Sequence, residues 1–345
     1  MIVRKNYTIA SILRSSAHHF VWLIPWASAV PLLYHTVGWN WLSIPWLPMA
    51  VVGTAVAFYV GFKNNSAYER MWEARKIWGA IVNSSRAWGS TVKGFVSNQF
   101  RDQNATEEEL HQVRQRLIYR HIGWLYTLRK QLLVVQPWEH ANQNGPVGRL
   151  AARYQDNFGV GLVEKEAAES DLKNFISAEE NANLTQRKNT ATQLIDRQSE
   201  DLQGLRSQDL IDDFRHMELQ KILNDFYVHQ GKCERIKKFP LPRQYANMSY
   251  IFIWIFIFLM PFGLVAEFAE LGNLGRWLTI PFTVLLGWVF VMMELVGDYS
   301  ENPFQGMAHD IPMLSLSRTI EIDLREMLGE TDLPEPIQAK GNVLM

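Results

Sequence analysis

The sequence has 345 residues, in which 34 lysines and arginines balance 35 aspartates and glutamates. A nucleic-acid-binding surface needs a basic excess, so this balance argues against a nucleic-acid partner. The single cysteine, Cys233, excludes a disulfide within the chain.

The first strong feature is a long segment without formal charge. Residues 15–62 contain no Asp, Glu, Lys or Arg, which is too long for one membrane span of about 20 helical residues. We therefore predict two spans, at about residues 18–36 and 45–63, joined by a short hairpin near Gly38. Trp39 and Trp41 lie at this hairpin, where aromatic residues typically mark the headgroup level of a bilayer.

Two further uncharged segments follow near the C-terminus. Residues 244–266 and 277–293 contain no formal charge and are rich in large apolar side chains. They predict a third and a fourth span. The alternative is a soluble protein with four buried core helices. This is less consistent with the pattern, because such helices seldom reach about 18 residues without a charge.

The distribution of lysine and arginine predicts the orientation in the membrane. Basic residues are concentrated in the N-terminal arm, directly after the second span and directly before the third, whereas the two hairpins contain only Arg276. By the positive-inside rule, both termini and the long middle segment are expected in the cytoplasm. We therefore expect a multi-pass membrane protein without a cleavable signal peptide.

The segment between the two pairs of spans is predicted to be helical, so the fold class is all-α. Thr106 and the three glutamates after it are typical of a helix start, and residues 147–190 are polar enough to form short helices and loops. The remaining helices of this segment are predicted at about residues 67–96, 110–135, 190–205 and 208–232.

These elements predict four regions along the chain. The first holds the N-terminal arm and two spans, the second a cytosolic helical domain, the third the other two spans and the fourth a cytosolic C-terminal segment. In order, they are residues 1–63, 64–243, 244–297 and 298–345.

The sequence contains no phosphate-binding loop, zinc-protease motif or nucleophile elbow. Glu108 and Asp213 each precede a histidine by three residues, at His111 and His216, which is the spacing found in di-iron helical sites. Such a site needs two pairs and further carboxylates facing each other, and acid–histidine pairs on solvated helices are common. We therefore expect no catalytic residue, metal site or cofactor.

Three residues of the second span recur at every fourth position, which places Thr54, Phe58 and Phe62 on one stripe of a helix. Taken alone, the stripe is typical of core or lipid contact. The functional alternative is a pore-facing stripe, since apolar side chains around an axis form a constriction that gates by dewetting.

Four motifs give the chain a resemblance to a known family. They are residues 61–79, which read GFKNNSAYERMWEARKIWG, residues 233–236 with the prolines that follow, residues 301–304 and residues 317–324. In this order and beside these spans, they resemble the bestrophins, specifically the prokaryotic branch. The motif residues are Arg70, Trp72, Glu73, Glu234, Arg235, Pro240, Asn302, Pro303 and Phe304.

The resemblance implies a homopentamer around one central ion pore, in which the second span of each subunit lines a narrow neck. Counted back from the motif, the neck positions fall on Thr54, Phe58 and Phe62. The family usually has bulky apolar residues at all three positions, so Thr54 is a departure and predicts a wetter outer ring. The family also has a second, cytosolic constriction, which we assign to Leu210 or Ile211, with Ile195 as a further candidate.

Calcium-gated animal bestrophins follow Asn-Pro-Phe with a run of acids that bind calcium. Here residues 305–310 contain one acid, Asp310. Calcium takes six to eight oxygen ligands, usually from several carboxylates. We therefore predict no high-affinity calcium site at this position.

Two functions remain open on the sequence. The first is conduction of small monovalent ions across the bacterial inner membrane, which the resemblance to the prokaryotic branch implies, by a homo-oligomer in the lipid bilayer. The permeant species would be chloride and other anions, or sodium and other cations. The second is a membrane-anchored scaffold or enzyme whose active part is the helical cytosolic domain. The uncharged neck residues do not decide the sign of the ion.

Overall fold

The structure, a computed structural model, describes residues 1–100, 105–145, 148–149, 151–153, 171–184 and 186–345. Within these residues the regular elements are helices, and the extended pairing is limited to isolated bridges at the chain ends, such as Ile2 with Val343. The longer helices are α1 (Ile9–Leu32), α2 (Trp46–Phe95), α3 (Glu107–Leu132), α4 (Ala178–Leu184), α5 (Thr190–Ser207), α6 (Asp213–Lys238), α7 (Arg243–Ala269), α8 (Thr279–Ser300) and α9 (Met313–Met327).

Shorter helical turns lie between these helices. A π-helical turn continues α1, and a single α-helical turn follows α7. The short turns are Leu33–Val37, Asn40–Leu42, His140–Asn142, Leu172–Asn174, Gly272–Gly275 and Arg276–Leu278.

The chain forms two compact units. The four-span unit contains Arg4–Arg70 and Pro240–Glu301, and the body contains Met1–Val3, Met71–Phe239 and Asn302–Met345.

The four-span unit packs α1, α7 and α8 with the N-terminal half of α2. Its apolar core includes Leu23, Val60 and Met260. A side chain at Gly53 of α2 would place its Cβ 2.7 Å from the Phe256 ring of α7, so the helices approach closely there. Among the described residues, four helical segments are long and apolar enough to cross a membrane. This confirms the all-α fold with four predicted spans.

The second span and the helix after it are one helix, not two. The sequence predicted a break between about residues 63 and 67, but α2 continues for 50 residues. Asn64 and Asn65 stand at the expected break, and such residues often leave a helix to bond to the backbone. Here Asn64 donates to the carbonyl of Met293, and Asn65 donates to the side chain of Glu69. The asparagine side chains therefore have partners that keep the helix intact.

The body is built around α3, whose C-terminal half is almost entirely buried. Thr106 and Glu109 form a reciprocal capping box at the start of α3, as the sequence predicted. Helices α5, α6 and α9 pack against α3 and enclose one apolar core. The N-terminal turn of α6 lies outside this core, at the surface of the body.

The start of α6 differs from the prediction. We expected this helix from about residue 208, but it begins at Asp213 with Asp212 as its cap. Asp209 has a left-handed backbone with φ of 56°, which no continuous α-helix allows. Of the predicted short helices in 147–190, Leu172–Asn174 and Ala178–Leu184 are present. Most of the remainder lies outside the described residues.

Candidate functional site

The predicted neck residues form an exposed stripe on α2. Phe58 is 69% exposed and Phe62 is 54% exposed, and Thr54 is exposed as well. Val56 and Val60, on the other side of the same helix, are buried in the core. The stripe therefore does not pack in the core of its own subunit, which leaves lipid, a neighbouring subunit or a pore as its environment.

The stripe carries no charge and little free hydrogen-bonding capacity. The rings of Phe58 and Phe62 are nearly perpendicular, with centroids 4.6 Å apart. The hydroxyl of Thr54 donates to the carbonyl of Ala50, with an oxygen–oxygen distance of 2.9 Å. A surface of this kind excludes water at the two phenylalanines and admits it at the threonine.

The buried side of α2 contains a charge. Lys63 is buried and forms an ion pair with Glu294 of α8. The second carboxylate oxygen of Glu294 accepts a hydrogen bond from the Ser249 hydroxyl of α7. Sequence reasoning missed this group. The available signal was that Lys63 directly follows an uncharged span and Glu294 ends another.

The three residues assigned to a second constriction lie in the core of the body. Leu210 is 3% exposed, Ile211 0% and Ile195 2%. A side chain that lines a pore must reach the surface of its own subunit, so this burial argues against all three. Phe214, in the first turn of α6, is instead 80% exposed, and Met217, almost one turn later, is 70% exposed. Phe214 was not among the residues that the sequence analysis assigned to the second constriction.

The family-motif residues of the body stabilise its helices. The Arg235 guanidinium lies 2.5 Å from the Glu73 carboxylate, which joins α6 to α2. Glu234 accepts a hydrogen bond from Asn189, the cap of α5, and this bond joins α6 to the start of α5. It accepts another from Gln230 of its own helix.

The remaining motif residues lie in the middle of α2 and in the segments between helices. In the four-span unit Arg70 is half-buried on α2, and Pro240 lies in the short link before α7. In the body Trp72 is 46% exposed on α2. The Asn302-Pro303-Phe304 turn is buried.

The Phe304 carbonyl accepts a hydrogen bond from Lys237, and Lys237 is buried in an ion pair with Glu139. Within the body, the ion pair joins α6 to the segment after α3, and the bond to Phe304 joins α6 to the loop after α8. Lys238, the next residue along α6, is exposed and pairs with Glu234 at the surface.

The loop after Phe304 is closed by its own acid. Asp310 is buried, and its Oδ2 atom accepts the backbone N–H groups of Gln305 at 2.8 Å and Met307 at 3.0 Å. Burial raises the pKa of Asp310 from 3.8 to about 7, although the two N–H groups act in the opposite direction. One of its carboxylate oxygens is therefore already used to hold the loop.

This raised pKa predicts a pH dependence of stability. Between the ordinary pKa of 3.8 and about 7 the folded protein holds a proton that the unfolded chain releases, so stability falls as pH rises through this window. We expect Asp310→Asn to reduce the loss of unfolding free energy between pH 4 and pH 8 by on the order of 4 kcal/mol. Thermal unfolding in detergent, followed by tryptophan fluorescence at both pH values, measures this difference.

The exposed Asp332→Asn variant is the matched control and should leave the pH dependence unchanged. An Asp310→Asn protein with the pH dependence of the parent would show that Asp310 titrates at its ordinary value.

The acid–histidine pairs of the sequence do not come together as a metal site. Asp213 instead pairs with Arg206, with a nitrogen–oxygen distance of 2.5 Å. Among the described residues, no group of three or more His, Cys, Asp or Glu side chains has the arrangement of a metal site.

Comparison with known proteins gives consistent matches over most of the chain. The family model of bacterial and fungal bestrophin proteins matches residues 5–326. The voltage-dependent anion channel-forming protein YneE of Escherichia coli is 26% identical over 290 residues, which are 84% of this chain and 79% of that protein. A voltage-dependent anion channel-forming protein of Ralstonia nicotianae is 25% identical and aligns with 96% of this chain and 99% of its own.

Solved structures agree with the fold. The crystal structure of a bacterial bestrophin homolog from Klebsiella pneumoniae is 18% identical, with a TM-score of 0.72 over 91% of this chain and 99% of that chain. The family and the names of the relatives point to an ion channel in a membrane, not to an enzyme. The match of the family model to nearly the whole sequence shows that the chain belongs to the bestrophin family.

Proposed function

We propose that the chain forms a closed homo-oligomeric ring, with five subunits by family resemblance, that conducts small monovalent ions through a central pore. The observation that supports this most strongly is the exposed, uncharged stripe of Thr54, Phe58 and Phe62 on α2. One subunit offers a single such helix, so an enclosed passage needs several copies around an axis.

The proposed permeant ions are small anions such as chloride. The names of the relatives in Escherichia coli and Ralstonia nicotianae support a negatively charged permeant ion. The orientation of the two phenylalanine rings is compatible with an anion as the permeant ion. The edges of aromatic rings carry partial positive charge. The perpendicular rings of Phe58 and Phe62 cannot both turn their faces in one direction.

The proposed location is the inner membrane of a bacterial cell, with both termini in the cytoplasm. The support is the concentration of Lys and Arg in the segments on that side and their near absence from the two hairpins.

Purified protein reconstituted in planar bilayers tests the function. Under a potassium chloride gradient we expect a current that reverses close to the chloride equilibrium potential, and native mass measurements should give five subunits. If the current reverses close to the potassium equilibrium potential, the protein is a channel but the assignment of anions as the permeant ions is wrong. Absence of current together with a monomeric mass would favour the membrane-anchored scaffold or enzyme instead.

We propose Phe214 as the second constriction, in place of the buried residues considered first. Its exposure on the first turn of α6 leaves the ring free to face a passage. Phe214→Ala should widen this level and raise single-channel conductance about twofold to tenfold, since an ion then keeps more of its hydration shell. Single-channel recording in bilayers measures the change.

Ile211→Val is the control for Phe214→Ala, because Ile211 lies in the core and a small change of volume there should alter stability but not conductance. If Phe214→Ala keeps the conductance of the parent, the assignment of Phe214 to the second constriction is wrong.

Calcium is expected not to control opening. Asp310 is the one acid in residues 305–310, and its Oδ2 atom is already bound to backbone N–H groups. A calcium ion would lack the several charged oxygens that it usually requires. Currents measured with and without micromolar calcium should therefore agree. A calcium-activated current that Asp310→Ala abolishes would contradict this expectation.

A further inference from the structure

The buried side of the pore-lining helix is apolar except at one position. Val56, Val60, Lys63 and Ala67 are buried at spacings of three and four residues, so they form one stripe on α2. At about 100° per residue, Lys63 lies roughly 140° around the helix from Phe58. The buried stripe and the exposed stripe are therefore on nearly opposite sides.

The polar contacts of this buried stripe reach two other helices. Lys63 pairs with Glu294 of α8, and Glu294 also accepts the Ser249 hydroxyl of α7. Asn64, beside Lys63, donates to the Met293 carbonyl of α8 at 2.9 Å.

No side chain on α8 intervenes at this contact. A Cβ atom at Gly297 would lie 2.2 Å from Oδ1 of Asn64, which is far inside contact distance. Because the hydrogen bond to Met293 fixes the Asn64 side chain, Asn64 could not move aside without losing that bond. Glycine at position 297 therefore lets α2 and α8 approach at the level of the ion pair.

An apolar stripe alone would fix the rotation of α2 only weakly. Valine and alanine side chains can exchange neighbours when a helix rotates or slides, at the cost of packing alone. A rotation by one residue would separate Lys63 from Glu294 and leave two buried charges unpaired, which is strongly unfavourable. The ion pair therefore penalises every register except the observed one.

We propose that Lys63, Glu294 and Ser249 form a register clamp, which sets the rotation of α2 so that Phe58 and Phe62 face the pore. The clamp rests on the proposed pore function, and its residues are positioning residues that do not themselves contact the ion. Removing the clamp while keeping the fold should rotate the two phenylalanines out of the pore.

Cysteine labelling measures the rotation without the need for current. Phe58→Cys and Val60→Cys each introduce one reporter thiol, and the native Cys233 is buried. With a water-soluble maleimide, Phe58→Cys should react and Val60→Cys should not. In the Lys63→Met, Glu294→Met double variant, the labelling rate of Phe58→Cys divided by that of Val60→Cys should fall about fivefold or more. Fivefold is about the low end of the range for energetic coupling between two sites of a protein.

Charge reversal and steric bulk provide independent variants. The swap Lys63→Glu with Glu294→Lys should restore the parental labelling ratio and current. Gly297→Ala should shift the ratio in the same direction as the double methionine variant without any change of charge. Gly61→Ala is its matched control, since a Cβ at Gly61 meets nothing within 4 Å.

The outcomes separate the clamp from the pore. A parental labelling ratio and current in the double methionine variant would show that the pair contributes only stability, and would overturn the clamp. If that variant fails to fold, a parental ratio in Gly297→Ala overturns it instead. A shifted ratio supports the clamp, and a parent protein without current would then overturn the pore function alone.

Discussion

The Phe58→Ala, Phe62→Ala double variant should conduct more current per assembled channel than the parent, with weaker gating. The two positions lie about 6 Å apart along α2 and present exposed aromatic rings. In a closed ring they would form a narrow, dry passage, in which an ion loses several kcal/mol of hydration. A reduction of the barrier by about 1.4 kcal/mol corresponds to tenfold more current, so we expect an increase of about tenfold.

Single-channel recording together with native mass measurement tests this result, because it separates conductance from assembly. Phe256→Ala is the control, since Phe256 is buried against Gly53 and Phe290. Loss of this ring should cost about 3–5 kcal/mol of stability and give no gain of current per channel. Unchanged current in the double variant would place the pore on another face of the four-span unit.

Lys237→Met should destabilise the protein by about 3–5 kcal/mol, the usual cost of leaving one partner of a buried ion pair alone. Lys237 and Glu139 have side chains only 5% and 2% exposed. Lys237 also donates to the Phe304 carbonyl, so its loss leaves two acceptors without a donor. The midpoint of thermal unfolding, followed by tryptophan fluorescence in detergent, should fall accordingly.

Lys238→Met is the matched control, because Lys238 is the next residue on the same helix. Its side chain is 62% exposed and pairs with Glu234 at 3.1 Å. Exposed ion pairs contribute about 0–1 kcal/mol, so this variant should unfold close to the parent temperature. Adding Glu139→Gln to Lys237→Met should recover part of the loss, since neither position of the pair then holds a buried charge. Equal effects of the two lysine variants would contradict a structural role for the buried pair.

The spans and the first helix of the body could be predicted because their signals are local. Uncharged segments of sufficient length define the spans, and the capping box at Thr106 needs only Glu109, three residues away. The neck stripe is also local, since its members are successive turns of one helix. Its identification as a pore rested on family resemblance, because exposure of Phe58 and Phe62 does not distinguish lipid from a water-filled passage.

The missed residues depend on contacts that sequence spacing does not contain. Lys63 and Glu294 are 231 residues apart, so their pairing follows only from the packing of α2 on α8. The burial of Leu210 and Ile211 also depends on packing within the body. Both residues precede α6, which begins at Asp213 and not near residue 208, and Asp209 before them has a left-handed backbone. Sequence spacing alone does not show which side chains of such a segment are exposed.

The hydrogen bond within α2 that Thr54 forms affects where along the pore an ion would lose its water. Its hydroxyl hydrogen is directed to the Ala50 carbonyl, so towards an axis the side chain offers oxygen lone pairs and a methyl group. In the proposed ring, these oxygens would accept hydrogen bonds from water molecules but offer an anion no donor. Chloride would therefore cross this level inside its own water shell and shed water first at Phe58. The pore at the level of Thr54 would therefore hold a hydrated ion. The main barrier to dehydration would lie at Phe58, one helical turn further along the pore.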